Sequence, residues 1–317
     1  MNITLDQISA AHERIKPFIH RTPVLTSESI NKISGATLFL KCENFQKTGS
    51  FKIRGGMNAV LSLSTEELKQ GIATHSSGNH AQAIAFAARQ VGKKAYIVMP
   101  ATSPKVKVDA VKNYGAEITF CEPKQKILES TLKDIIQRTG AAFVHPYDNY
   151  QVITGQATCA KELIEDVPGL DAIITPVGGG GLLSGSALSK HYLLPPAFIY
   201  AGEPEGAADA ILSFRSGQVE RAAFINTIAD GLLTTLSDKT VAIIRQYVKD
   251  IFLVTEQEIT SALRLIYERM KIIVEPSSAV SLAVVLKHRN LFAGKRIGII
   301  LTGGNVDVSN SDKWFKD

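Results

Sequence analysis

Residues 171–185 read DAIITPVGGGGLLSG, an apolar run rich in isoleucine that breaks into Gly178-Gly179-Gly180-Gly181 and continues through Leu182 as an apolar helix. Consecutive glycines let several backbone N–H groups turn toward one anion, and the helix N-terminus that follows adds its partial positive charge. The loop lacks a Walker lysine and a G-x-G-x-x-G spacing, so it suits a single phosphate monoester better than a standard nucleotide. A tight strand-to-helix turn is the plainer reading, but it requires fewer than four glycines.

Outward from this loop, short apolar runs alternate with segments of helical period, the pattern of βα units around parallel sheets. Strands are expected at Leu38–Lys41, Ile72–His75, Ala95–Met99, Glu117–Cys121, Ala142–Val144, Ala172–Pro176, Phe198–Ala201, Ile251–Val254 and Arg296–Leu301. The clearer helices are His80–Val91, Pro104–Tyr114, Gln125–Arg138, Ile153–Asp166, Leu182–His191, Glu256–Met270 and Ser277–His288. The fold class is therefore α/β. Four strands between Ile72 and Val144 form a smaller lobe, 71–147, with 1–70 and 148–317 building a larger, discontinuous one. At 317 residues the chain is long enough for two such cores.

Composition narrows the function classes. Hydrophobic residues make up 45% of the chain, yet there is no run of about 20 apolar residues to span a membrane. The start, MNITLDQISAAHERIKPF, carries charges throughout, unlike a secretory signal, so a cytoplasmic location is expected. Cys42, Cys121 and Cys159 are odd in number and far apart, which argues against a disulfide framework or a zinc knuckle. The net charge of +5 is dispersed among acids, which argues against nucleic acid and fits attraction of small anions.

Four further segments carry possible chemistry. Ser76-Ser77-Gly78-Asn79-His80 follows a strand and opens a helix, so its hydroxyls, amide and N–H groups can hold a carboxylate or serve as an N-cap cluster. Lys52, between Phe51 and Ile53 in a glycine-rich segment, is either a solvated lysine or, in apolar surroundings, a nucleophilic amine. Thr302-Gly303-Gly304-Asn305 follows another strand, where Thr302 presents a neutral hydroxyl or caps a turn. Glu203 and Asp209 flank a helix start with free carbonyls between them; they are ordinary helix-dipole partners or oxygen ligands for a hard cation.

Together, TGSFKIRG, SSGNHAQA, GGGGLLSG, TIADG, MKIIVEPSSAV and TGGNVD, in this order over nearly the whole chain, resemble the fold type II (tryptophan synthase β-like) pyridoxal-phosphate enzymes. The resemblance is to the serine racemase and serine/threonine dehydratase family, with two lobes, each a largely parallel sheet flanked by helices. It implies that Lys52 carries the cofactor covalently, Phe51 packs on its ring, Asn79 bonds its 3-oxygen, Gly178–Leu182 holds its phosphate and Thr302 faces its ring nitrogen. Serine or cysteine is more usual at the position of Thr302. Ser76, Ser77, Asn79 and His80 would hold the substrate carboxylate. The resemblance also implies Mg²⁺ or Ca²⁺ at Glu203, Asp209 and the carbonyl of Ala207, a homodimer, and in some members a modulating nucleotide such as ATP.

Dehydratases of the family commonly read SAGNHAQG and racemases SSGNHAQA, and this chain has the second form. Ser77 would then be an acid/base opposite Lys52, giving interconversion of L- and D-serine with elimination to keto acid and ammonia alongside. The nearest alternatives are threonine dehydration and dehydration of threo-3-hydroxyaspartate, the latter needing a second positive anchor. Leu128 stands approximately where animal racemases carry an arginine, which weakens the dicarboxylate reading unless Arg54 or a lysine substitutes. A non-catalytic amino-acid or nucleotide sensor is the remaining class, and retention of Lys52 argues against it.

Overall fold

The computed structural model describes residues 3–315. Its strands are β1 (Val24–Leu25), β2 (Thr37–Cys42), β3 (Ile72–His75), β4 (Ala95–Pro100), β5 (Glu117–Cys121), β6 (Ala142–Phe143), β7 (Ala172–Pro176), β8 (Phe198–Pro204), β9 (Asp250–Val254) and β10 (Arg296–Leu301). They form a six-stranded sheet in the order β1-β2-β10-β7-β8-β9 and a four-stranded sheet in the order β5-β4-β3-β6. Every pairing is parallel except β1 with β2.

Side chains alternate across each strand, so a sheet buried on both faces feeds two cores. Ile174, Ile297 and Ile299 join Val280 and Val284 of the helix Pro276–Lys287 on one face of the larger sheet. Ile173 and Ile300 join Leu163 and Leu183, from the helices Tyr150–Asp166 and Gly181–Leu193, on the other. The smaller sheet does the same. Ile72 and Ile97 pack toward the helix Asn79–Gln90, whereas Ala73 and Val98 face Leu128, Leu132 and Ile135 of the helix Gln125–Thr139.

The nine expected strands are present, with small shifts at their ends, and β1 is additional. A helix Lys52–Leu61, not anticipated from its glycine-rich sequence, puts Ile53, Met57 and Val60 into the core of the smaller sheet. The helix expected to run to Met270 changes pitch after Leu265 into a π turn, Ile266–Met270. Among the described residues no helix is long and apolar enough to cross a membrane.

Candidate active site

Ser76, Val177 and Thr302 follow β3, β7 and β10 directly, at the carboxyl ends of parallel strands, where α/β proteins collect ligands. A cleft of about 500 Å³ opens there. It is lined by Phe51, Lys52, Ser76, Ser77, Asn79, His80, Gly178–Leu182 and Thr302, so every residue expected to touch cofactor or substrate faces one space.

Backbone pairing between residues 49–51 and 302–304, past the end of β10, positions Lys52. Phe51 N–H donates to the Thr302 carbonyl at 3.0 Å, Gly304 N–H donates to the Gly49 carbonyl at 2.9 Å, and Ser50 bridges Gly303. The lysine thus enters the cleft at the start of its helix, with Nζ 3.5 Å from the Pro146 carbonyl and 5.3 Å from the Phe51 ring centre. Desolvation by the surrounding protein lowers its pKa to about 8, and the nearby Glu275 carboxylate opposes that fall.

In the glycine loop, Gly180 adopts φ 84°, a left-handed conformation costly for other residues, and so aims the first turn of the helix Gly181–Leu193 into the cleft. A Cβ on Gly179 would come within 2.5 Å of the Tyr147 ring, so the loop and this aromatic lie flush. Across the cleft, Ser77 is exposed, and Ser76 Oγ accepts from Gly78 N–H at 3.1 Å. The His80 ring is buried, with Nε2 3.2 Å from the Val144 carbonyl. Burial, followed by the charge of Lys52, keeps that imidazole neutral, so this loop's hold on a carboxylate falls to hydrogen bonds from its hydroxyls and helix-terminal N–H groups.

Thr302 is buried with Oγ1 3.0 Å from Ser278 Oγ. Ser278 accepts from Gly303 N–H, and its one proton can go to the Gly303 carbonyl or to Thr302. Thr302 is thereby free to donate into the cleft in the second arrangement and to accept in the first.

Three charged residues without a sequence-predicted role also line the cleft: Lys107, Asp230 and Glu275. Lys107 Nζ lies 2.6 Å from Asp230 and 3.5 Å from Glu275, and Asn79 Nδ2 lies 2.8 and 3.0 Å from the two Glu275 oxygens. Glu275, alone in the apolar stretch IIVEPSSAV, carries a signal; Lys107, in the alternating KVKVD, has the charged pattern of a solvated helix face.

The anchors imagined for a second carboxylate are not free. Arg54 is fully buried outside the cleft lining, held by Glu43 at 2.7 and 2.8 Å and by Glu162 at 2.9 and 2.8 Å, which corrects its suggested role. Leu128 lines the cleft as an apolar wall.

Glu203, near the end of β8, and Ala207 and Asp209, just after it, lie apart from the cleft lining. Glu203 accepts from the N–H groups of Asp209, Ala210 and Ile211 at 2.6–2.9 Å, while Asp209 Oδ2 is buried without a hydrogen-bond partner. Burial pushes Glu203 up to about 8, with Asp209 adding to it, and pushes Asp209 up to about 7. Among the described residues no group of three or more His, Cys, Asp or Glu converges on a metal-sized space, so any cation here would rely on carbonyl oxygens as well.

The comparisons with known proteins agree with this geometry. The chain is 49% identical over 315 residues to the serine racemase of Dictyostelium discoideum, covering 98% of this chain and 97% of that one. It is 48% identical over 305 residues to the beta-hydroxyaspartate dehydratase of Paracoccus denitrificans, covering 96% and 97%. The structure of maize serine racemase superposes with a TM-score of 0.95 at 42% identity, covering 99% of this chain and 97% of that one. Residues 15–303 match the model of the pyridoxal-phosphate dependent enzymes. With a desolvated lysine, a glycine turn and a helix terminus gathered at the carboxyl ends of a parallel sheet, this chain belongs to the pyridoxal-phosphate dependent enzyme family.

Proposed function

We propose that this chain interconverts L- and D-serine and, alongside, converts serine or threonine to keto acid and ammonia. The observation carrying the proposal is that Lys52, at the start of a helix, and Ser77, exposed on a separate loop, line the same cleft. The cleft suits pyridoxal phosphate: the lysine has a weakened hold on its proton, and the glycine turn aims a helix terminus where a phosphate binds. Lys52 would hold it covalently, Phe51 would pack on its ring, Asn79 would take its 3-oxygen, Gly178–Leu182 its phosphate and Thr302 its ring nitrogen. When bound, the cofactor withdraws electrons and makes the substrate Cα–H bond acidic.

The protein supplies the rest. The loop Ser76–His80 holds the substrate carboxylate. The Lys52 amine takes the Cα proton from L-serine, and Ser77 delivers one from the other side. A neutral hydroxyl at Thr302 does not stabilise a protonated ring as a carboxylate would, which favours racemisation and elimination over transamination. The segment 71–147 is proposed as the gating lobe, and Glu203, Asp209 and the Ala207 carbonyl as a structural site for Mg²⁺ or Ca²⁺. The unpartnered Asp209 oxygen supports that site.

A second reading, dehydration of 3-hydroxyaspartate, is favoured by the 48% identity to the Paracoccus enzyme. The engaged Lys107 and apolar Leu128 weigh against it. Purified protein with Mg²⁺ is incubated with L-serine, L-threonine and threo-3-hydroxyaspartate, scoring D-serine by chiral chromatography and keto acid by a coupled assay. D-serine formation that is lost in Ser77→Ala while keto acid persists supports the racemase. Keto acid alone, fastest from hydroxyaspartate, establishes the second reading.

A further inference from the structure

Glu275 is fully buried, yet it stands immediately before the helix Pro276–Lys287 without capping it. Its carboxylate turns instead to the cleft, where both oxygens receive Asn79 Nδ2. Asn79 Oδ1 in turn accepts from Asn305 Nδ2 at 2.9 Å, and Asn305 also donates to the Thr48 carbonyl at 2.7 Å. An ionised carboxylate can only accept, so these contacts fix which end of the Asn79 amide is nitrogen and leave its second N–H for a ligand.

That orientation holds only while Glu275 is charged. Burial pushes its carboxyl up, and a protonated Glu275 could donate to a flipped Asn79. Lys107 counters this: burial opposes its charge, but Glu275 and Asp230 hold its ammonium above the ordinary lysine value. The lysine stem crosses directly beneath Gly78, where a Cβ would lie 2.2 Å from Lys107 Cδ. Asn79 and Lys107 come from the smaller-sheet segment, whereas Glu275, Asp230 and Asn305 come from the rest of the chain.

We propose that Glu275 and Lys107 are positioning residues, an ion pair that orients the Asn79 amide nitrogen toward the cofactor 3-oxygen and docks the Ser76–His80 loop against the larger sheet. The inference rests on the assignment of Asn79 to the cofactor, and its test needs no substrate. The visible absorbance band of the holoenzyme and the rate of cofactor loss on dilution are compared among wild type, Asn79→Ala, Glu275→Gln, Glu275→Asp and Lys107→Met. Glu275→Gln and Lys107→Met are expected to move the band in the direction of Asn79→Ala and to speed cofactor loss about tenfold, the scale of one hydrogen bond to a charged group. Glu275→Asp should recover part of both, and the double variant Lys107→Met/Glu275→Gln should be no worse than Glu275→Gln alone.

A merely structural cluster would lower the melting temperature and leave the band in place, and that result in Glu275→Gln, with Asn79→Ala altered, overturns the inference alone. An unaltered Asn79→Ala overturns the Asn79 assignment and the inference with it. If Glu275→Gln does not fold, Lys107→Met decides on its own, because it leaves the buried Glu275 carboxyl without its cation.

Discussion

At the scale of the residue, Lys52 shows how the fold makes a nucleophile from an ordinary amine. A lysine in water keeps its proton to about pH 10.4, leaving about one in a thousand free at pH 7.5. With the pKa lowered to about 8, roughly a quarter is free at pH 7.5. Cofactor capture by the stripped protein is therefore expected to accelerate with pH about a midpoint near 8 and to level off above it, followed as growth of the visible band. A midpoint above 10 would show that the cleft does not desolvate the amine. Lys52→Ala should yield no such band at any pH, and a band persisting there would remove the lysine from its assigned role.

At the scale of the element, a buried ionic knot ties the helix Lys52–Leu61, packed into the core of the smaller sheet, to β2 and a helix of the larger sheet. Arg54 on the helix Lys52–Leu61 joins Glu43 to Glu162 on the helix Tyr150–Asp166, and Lys41 of β2 reaches Glu162 at 2.7 Å. Arg54→Met strips the buried Glu43 of its ion pair and leaves Glu162 to Lys41 and His12, and is expected to cost about 3–5 kcal/mol in urea unfolding. Although burial pushes the Glu162 carboxyl up, His12, Arg54 and Lys41 hold it well below the ordinary glutamate range. A depressed carboxyl contributes stability above the unfolded value near 4.3 that is lost as pH falls below it, so wild type should lose stability there more steeply than Arg54→Met. The same helix marks the limit of what the sequence revealed. Gly55-Gly56 speaks against a helix by about 1 kcal/mol per glycine. The glycines are there because a Cβ on Gly55 would lie 2.7 Å from the Val152 carbonyl, a contact made only in the folded chain. The long β-branched runs and glycine loops were legible because each is local. Two-residue β1 and the cleft-facing Lys107 were not, since pairing with β2 and the approach of Asp230 come from distant sequence.

At the scale of the whole molecule, the pair Glu203 and Asp209 bears on stability without touching the cleft. Two carboxylates share a buried space at the end of β8, one has its oxygens taken by three N–H groups, and the other leaves an oxygen without a partner. Such a site costs stability unless a cation or protons neutralise it. A cation that binds only the folded chain stabilises it by about 2.7 kcal/mol when present at 100 times its dissociation constant. With an unfolding entropy of about 2 cal/mol/K per residue, that corresponds to about 4 °C for a chain of 317 residues. Adding Mg²⁺ or Ca²⁺ to chelator-treated protein should therefore raise the melting temperature by a few degrees, saturably, and EDTA should reverse the rise. Asp209→Asn removes the unpaired oxygen's charge and should abolish the increment; an equal rise in that variant would trace the effect to other surface carboxylates and leave the pair as a helix-terminal anchor alone.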